Sequence, residues 1–118
     1  MKTLVDSSLW IDHFRRNDDR LIQLLRDDQV LVHPFVVGEL ACGSLPSRNS
    51  VISSLLKLPV APKLEEDEVL AFVEQHRLYA TGIGWIDAHI AASALFAQAQ
   101  LWTRDRALSR CWAKLSRI

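Results

Sequence analysis

The chain has 118 residues, 49% of them apolar and 24% charged, with Lys and Arg matching Asp and Glu at 14 each. This length fits one domain (1–118) around a single core, and the composition excludes a disordered, fibrous or disulfide-stapled protein. A formal net charge of zero argues against nucleic-acid binding through bulk electrostatics, and no apolar run approaches the roughly 18 to 20 residues of a membrane span.

Residues 4–6, Leu-Val-Asp, form a short apolar run closed by an acid, which predicts a strand, and Ser7-Ser8 offers a helix N-cap after it. The opening MKTLVDSSLW lacks the apolar core of a signal peptide, so a cytoplasmic protein is expected. Leu9, Trp10, Ile11 and Phe14, then Leu21, Ile22, Leu24 and Leu25, keep helical spacing on either side of the polar stretch 15–20 and predict two short helices. Residues 30–33 read as a second buried strand, and Pro34 suits the first turn of a helix over 35–44. Leu45-Pro46-Ser47 breaks that helix, and a helical pattern resumes over 50–58. Residues 58–62 then read as an edge strand, because Pro59 and Pro62 have no N–H for a sheet ladder. Residues 65–80, 85–98 and 106–115 predict three helices, with a glycine turn at 81–84 and a last strand at 101–103. Cys42 and Cys111 belong to no paired motif and are expected to be reduced, packed thiols.

Short apolar strands alternating with helices predict the α/β class, a parallel sheet covered on both faces. Right-handed crossovers put every strand's C-terminal end on one edge, and sites in such folds lie beyond those ends, at a switch point in strand order. Asp6 and Asp105 follow the first and last strands and belong at that edge, where each could equally be a helix N-cap. Asp87 heads the helical stripe Ile90, Ala91, Ala94 and Leu95, and Glu39 has only non-polar helical neighbours, Phe35, Val36, Cys42 and Gly43. Both are expected to point inward, as site residues or as buried acids with a hydrogen-bond or ion-pair partner. Like charges about 4 Å apart repel by roughly 4 kcal/mol at an effective dielectric near 20, so four converging acids need protons or a cation. Oxygen ligands without His or Cys at ligand spacing favour Mg²⁺ or Mn²⁺ over zinc, and such an ion suits phosphoryl chemistry.

The blocks VDSSLWID, VVGEL around Glu39, GIGWIDAHIAASAL around Asp87 and LWTRDRAL around Asp105 span nearly the whole chain. In this order and separation they resemble the PIN domain, specifically the VapC-type toxin ribonucleases of bacterial toxin–antitoxin modules. The resemblance implies a three-layer α/β/α fold with a central parallel sheet of four to five short strands. It also implies Mg²⁺- or Mn²⁺-dependent endonucleolytic cleavage of RNA, transfer or ribosomal, to a 5′-phosphate and a 3′-hydroxyl. The family's acids fall on Asp6, Glu39, Asp87 and Asp105, which would hold the metal, and its accompanying hydroxyl falls on Thr103, with Ser7 also steadying waters or carboxylates. A homodimer and a cognate antitoxin are the implied partners, and no membrane. Ala107 stands where some relatives carry a further acid, which weakens any second metal site and leaves one ion as the alternative to two. The chain stops at Ile118, where many relatives continue into another strand, so four strands with a bare edge is the alternative to five.

From residue 104 onward Arg104, Arg106, Arg110, Lys114 and Arg117 face one acid, Asp105, and the last four fall on one helical face. That face is either a solvated helix surface or a track for a phosphate backbone, with Arg104, Arg106 and Arg110 the candidate RNA contacts. Among Trp10, Trp85, Trp102 and Trp112, core packing is expected for Trp10 and Trp102, while Trp85 is the stacking candidate for an unpaired base. His89, two residues past Asp87, is expected at the surface. Two other functions compete with the nuclease: an inactive PIN-like domain that binds RNA or protein, against which the intact acid set argues, and a phospho-acceptor signalling domain. The latter needs an acceptor aspartate after the third strand, and 58–63 has none.

Overall fold

Three apolar segments distant in sequence pair in parallel to form the centre of this structure, a computed structural model that describes residues 1–117. They are β1 (Thr3–Val5), β2 (Val30–Leu31) and β3 (Gln100–Trp102), in the order β2-β1-β3, with Leu4 opposite both Leu31 and Leu101. The seven helices are α1 (Ser7–Arg16), α2 (Asp19–Arg26), α3 (Pro34–Ala41), α4 (Arg48–Leu55), α5 (Glu66–Gln75), α6 (Trp85–Phe96) and α7 (Arg106–Leu115). Helix α3 packs against α1 and α4, whereas α6 packs against α5, α7 and β3. These two groups cover the sheet in an α/β/α arrangement, as parallel strands require.

The sheet has three strands among the described residues, rather than the four to five expected. The segment 58–62 contributes one parallel bridge, Val32 with Val60, in which Val32 N–H donates to Pro59 O and Ala61 N–H to Val32 O. Prolines at 59 and 62 remove the donors that would lengthen it. The helices over 35–44 and 65–80 are also shorter than expected, ending at Ala41 and Gln75.

Leu4, Val5, Leu9, Leu21, Val36, Ile90 and Leu108 are fully buried and join the sheet to helices on both faces. Helix α6 is enclosed on almost every side, since all seven residues from Ala88 to Ala94 are buried. Its alanines admit α5 closely, where Val69 packs with Ala88 and Ala92. This corrects the expectation that His89 lies at the surface: it is 1% exposed, because leaving the Asp87 face of this helix does not leave the core. Cys42 is likewise corrected: it is exposed just past α3, and only Cys111 is packed.

His33 caps α3 through its ring, with Nδ1 accepting from Phe35 N–H at 3.0 Å. Burial lowers its pKa to about 4, aided by His89 and Lys63, so the ring is neutral at neutral pH. The unfolded chain binds this proton first, so His33 contributes stability above its ordinary pKa of 6.5 that is lost as pH falls towards 4. His33→Asn, which retains a capping oxygen, is expected to flatten the melting temperature between those pH values. In urea unfolding at neutral pH, Ile90→Ala is expected to cost about 2–5 kcal/mol with little change in the denaturant slope.

Candidate active site

Because β1 is central and the chain passes from β2 on one side to β3 on the other, the strand order switches beside the C-terminal end of β1. Asp6 stands there, 6% exposed, with its N–H donating to Trp102 O at 2.9 Å across the β1–β3 boundary. It occupies the N-cap position of α1, yet its carboxylate makes no capping bond. Instead Oδ2 accepts from Thr103 Oγ at 2.7 Å and from Ser8 Oγ at 3.3 Å. Asp6 is therefore no side-chain cap of α1, and its carboxylate is turned to Thr103 at the end of β3.

Thr103 accepts from Asp105 N–H at 3.1 Å as it donates to Asp6, so one hydroxyl ties the ends of both strands together. Asp105 is exposed and divides its roles: Oδ1 caps α7 by accepting from Leu108 N–H at 2.9 Å. Ser7 lies beside Glu39, and Ser8 is the serine that reaches Asp6. Ser8 also accepts from Arg104 N–H at 3.1 Å, a role the sequence reading missed. The adjacent serines look alike in sequence, and only the phase of α1 separates them.

Asp87 lies partly buried in the first turn of α6, where Gly84 N–H reaches its Oδ2 at 3.4 Å. Burial raises its pKa, with Asp6 and Asp105 adding to the rise and the Gly84 hydrogen bond opposing it. Glu39 corrects an expectation, for it is exposed rather than inward: α3 buries only Val36 and Leu40, and its neighbours Cys42 and Gly43 are open too. Its carboxyl is nevertheless sheltered enough for burial to raise its pKa, helped by Asp6 and Asp87. Asp6 and Asp87 thus act on Glu39, and Asp6 and Asp105 on Asp87, so the four acids are linked electrostatically near the sheet edge.

No Lys or Arg among the described residues pairs with any of the four acids. Arg104, the nearest cation in sequence, is held elsewhere, with Nε 2.6 Å from Asp12 Oδ2 and a terminal nitrogen 3.4 Å from Asp18 Oδ2. Arg106, Arg110, Lys114 and Arg117 are exposed. The donor set is all oxygen and its charge is uncompensated, which fits a hard divalent cation. Among the described residues no three His, Cys, Asp or Glu groups stand close enough to grip an ion together. An apolar groove of about 290 Å³ lies elsewhere and is lined by Trp10, His13, Phe14, Val51, Leu55 and Leu58. No helix of the described residues is long and apolar enough to cross a membrane.

The raised pKa of Asp87 gives a signed test. The folded chain holds this proton longer than the unfolded one, so stability falls as pH rises from 3.8, the ordinary value, through the raised folded value. In the presence of chelator Asp87→Asn is expected to melt above the wild type at neutral pH and to converge with it in acid. Added Mg²⁺ is expected to raise the wild-type melting temperature more than that of the variant.

Residues 3–111 match the PIN domain family. The chain is 45% identical over 112 residues to Ribonuclease VapC32 from two strains of Mycobacterium tuberculosis, covering 94% of this chain and 90% of that protein. The crystal structure of PAE2754 from Pyrobaculum aerophilum superposes with a TM-score of 0.66 over 100% of this chain and 97% of that one, at 15% identity, a likeness of fold. Matched in sequence over nearly its whole length and carrying its acids where the strand order switches, the chain belongs to the PIN domain family.

Proposed function

We propose that this chain is a divalent-metal-dependent endoribonuclease of the VapC type, the toxin of a toxin–antitoxin pair, built as a single PIN-like domain over 1–118. The observation that carries this reading is the electrostatic linkage of Asp6, Glu39, Asp87 and Asp105 near one strand edge, with no cationic side chain pairing with them among the described residues. The 45% identity to a protein named a ribonuclease supports the same activity.

Asp6, Glu39, Asp87 and Asp105 would hold Mg²⁺ or Mn²⁺, one or two of them directly and the others through its waters, and the ion would supply polarisation of the phosphate, a more acidic water and neutralisation of charge on the leaving oxygen. Thr103 and Ser8 fix the rotamer of Asp6 so that its second oxygen faces the cleft. Ser7 orients Glu39. Asp105 stiffens the β3–α7 junction by capping α7 with one oxygen, leaving the other for the site. Water adds to phosphorus as the bond to the ribose 3′-oxygen breaks, giving a 5′-phosphate and a 3′-hydroxyl. Arg106 and Arg110, exposed on α7 beyond Asp105, receive substrate phosphates. Arg104 joins them while anchoring its loop to α1 through Asp12.

The substrate is transfer or ribosomal RNA in the cytoplasm. The apolar groove beside Trp10 and Leu55 is the surface for a protein partner, a second copy in a homodimer or the antitoxin. The single Val32–Val60 bridge supports reading the segment 58–62 as a fourth strand at the sheet edge.

The purified chain is expected to cut end-labelled transfer or ribosomal RNA with Mg²⁺ or Mn²⁺ and to stop on chelation. Asp6→Asn and Asp87→Asn are each expected to lower the cleavage rate by roughly 10²–10³-fold, the loss found when one preorganised charge-stabilising group is removed. Metal-independent cutting, or full activity in both variants, would sink the assignment. A folded chain that binds RNA without cutting it would favour the inactive binding domain.

A further inference from the structure

Trp85 is 42% exposed at the first position of α6, two residues before Asp87, although large aromatic side chains are normally covered. Its ring is not loose. It meets the His89 ring at 4.6 Å between centroids with the planes at 88°, and His89 meets Phe35 at 4.9 Å, which in turn meets the capping ring of His33 at 5.1 Å. His89 and His33 are fully buried, so this row of rings anchors Trp85 to the core while part of it stays open.

Lys63 reaches the same row from the other side, with Nζ 5.3 Å from the Phe35 ring centroid. It forms no ion pair among the described residues, and its charge acts on both His33 and His89. Glu66 is the acid felt at His89. A fixed exposed indole, an exposed ammonium and the Asp87 carboxylate therefore all lie about the α6 start. Positions 85 and 87 take opposite flanks of a helix about 10–12 Å across, a span of one or two nucleotides.

We propose that Trp85 and Lys63 form a subsite for single-stranded RNA, in which Trp85 stacks on an unpaired base one or two nucleotides from the scissile phosphate and Lys63 contacts the backbone. This deepens the nuclease reading and rests on it for the position of the scissile phosphate. It selects loops and other unpaired segments as substrate, since a base within a duplex has no free face to offer. Base–aromatic stacking tolerates any sequence, so the subsite sets strandedness rather than base identity.

The test uses the full chain carrying Asp6→Asn, so that binding is read without cutting, and short oligoribonucleotides of one sequence in single-stranded and duplex form. Single-stranded RNA is expected to quench tryptophan emission, and Trp85→Leu to remove the quench and weaken binding by about 5- to 150-fold, the worth of one stacked base. Trp85→Phe is expected to keep most of the affinity. An abasic position in the RNA is expected to reproduce the loss with Trp85 present and to add nothing to Trp85→Leu. Lys63→Ala is expected to lower the salt slope by roughly 0.7.

Equal affinity in the Trp85→Leu and parent chains would overturn the subsite, as would tighter binding of the duplex or a loss indifferent to the abasic position. A Trp85→Leu chain that changes its sedimentation while keeping its RNA affinity would place Trp85 in a protein interface instead. The two ideas fail separately: base-dependent binding with no metal-dependent cleavage by the wild-type chain retains the subsite and sinks the nuclease, whereas metal-dependent cleavage indifferent to Trp85 does the reverse.

Discussion

The hydroxyl of Thr103 holds the candidate site together. It donates to Asp6 and accepts from the Asp105 backbone, so it joins two acids 99 positions apart in sequence through one oxygen. Its position depends on the parallel pairing of β1 with β3, which sets Val5 opposite Trp102 and brings the next residues of each strand to the same edge. A hydrogen bond to a charged acceptor contributes about 1.5–3 kcal/mol. Here that energy also fixes a rotamer, because the Asp6 carboxylate is drawn away from the cap position it would otherwise fill.

Around this hydroxyl the fold gathers negative charge and withholds positive charge. Burial and mutual repulsion push the pKa values of Glu39 and Asp87 upward, so the metal-free chain carries an electrostatic cost that a divalent ion would remove. The nearest arginine is occupied by Asp12 and Asp18. That pairing keeps Arg104 from closing over the acids and braces the β3–α7 loop against α1 and α2. The remaining basic residues of α7 stay exposed, which separates an acidic centre from a basic flank within a chain of zero net charge. Opposite fields side by side suit a polyanion bent over a cation site better than a uniformly basic surface would.

Helix α6 links the site to the core. Its buried alanines let α5 and the sheet approach from several sides, and the same burial encloses His89, whose ring nitrogens find no hydrogen-bond partner among the described residues. A buried polar ring without partners is costly, yet it supports Trp85 at the surface, and its neutrality follows from the burial that lowers its pKa. Rigidity at the helix start is thus gained from a packing arrangement that stability alone would not favour.

Much of this protein was legible in its sequence. Local rules placed β1 before Asp6, the start of α7 at Arg106 and the start of α6 at Trp85, because strand runs, caps and glycine turns act over a few residues. The spacing of acids behind apolar segments indicated which edge of the sheet to search. Packing decided the rest. Two serines with equal claims on Asp6 were separated only by the phase of α1, and Glu39 proved exposed because α3 is too short to bury more than Val36 and Leu40. His89 went inward because α6 is covered on all sides, a fact of its neighbours rather than its own periodicity. Sequence by itself determined the class of fold, the family blocks and the residue types available for chemistry, since these follow from local propensity and composition. Tertiary structure alone decided which acids lie together, which cation is occupied and which aromatic stays open, because those depend on contacts between segments that no local pattern encodes.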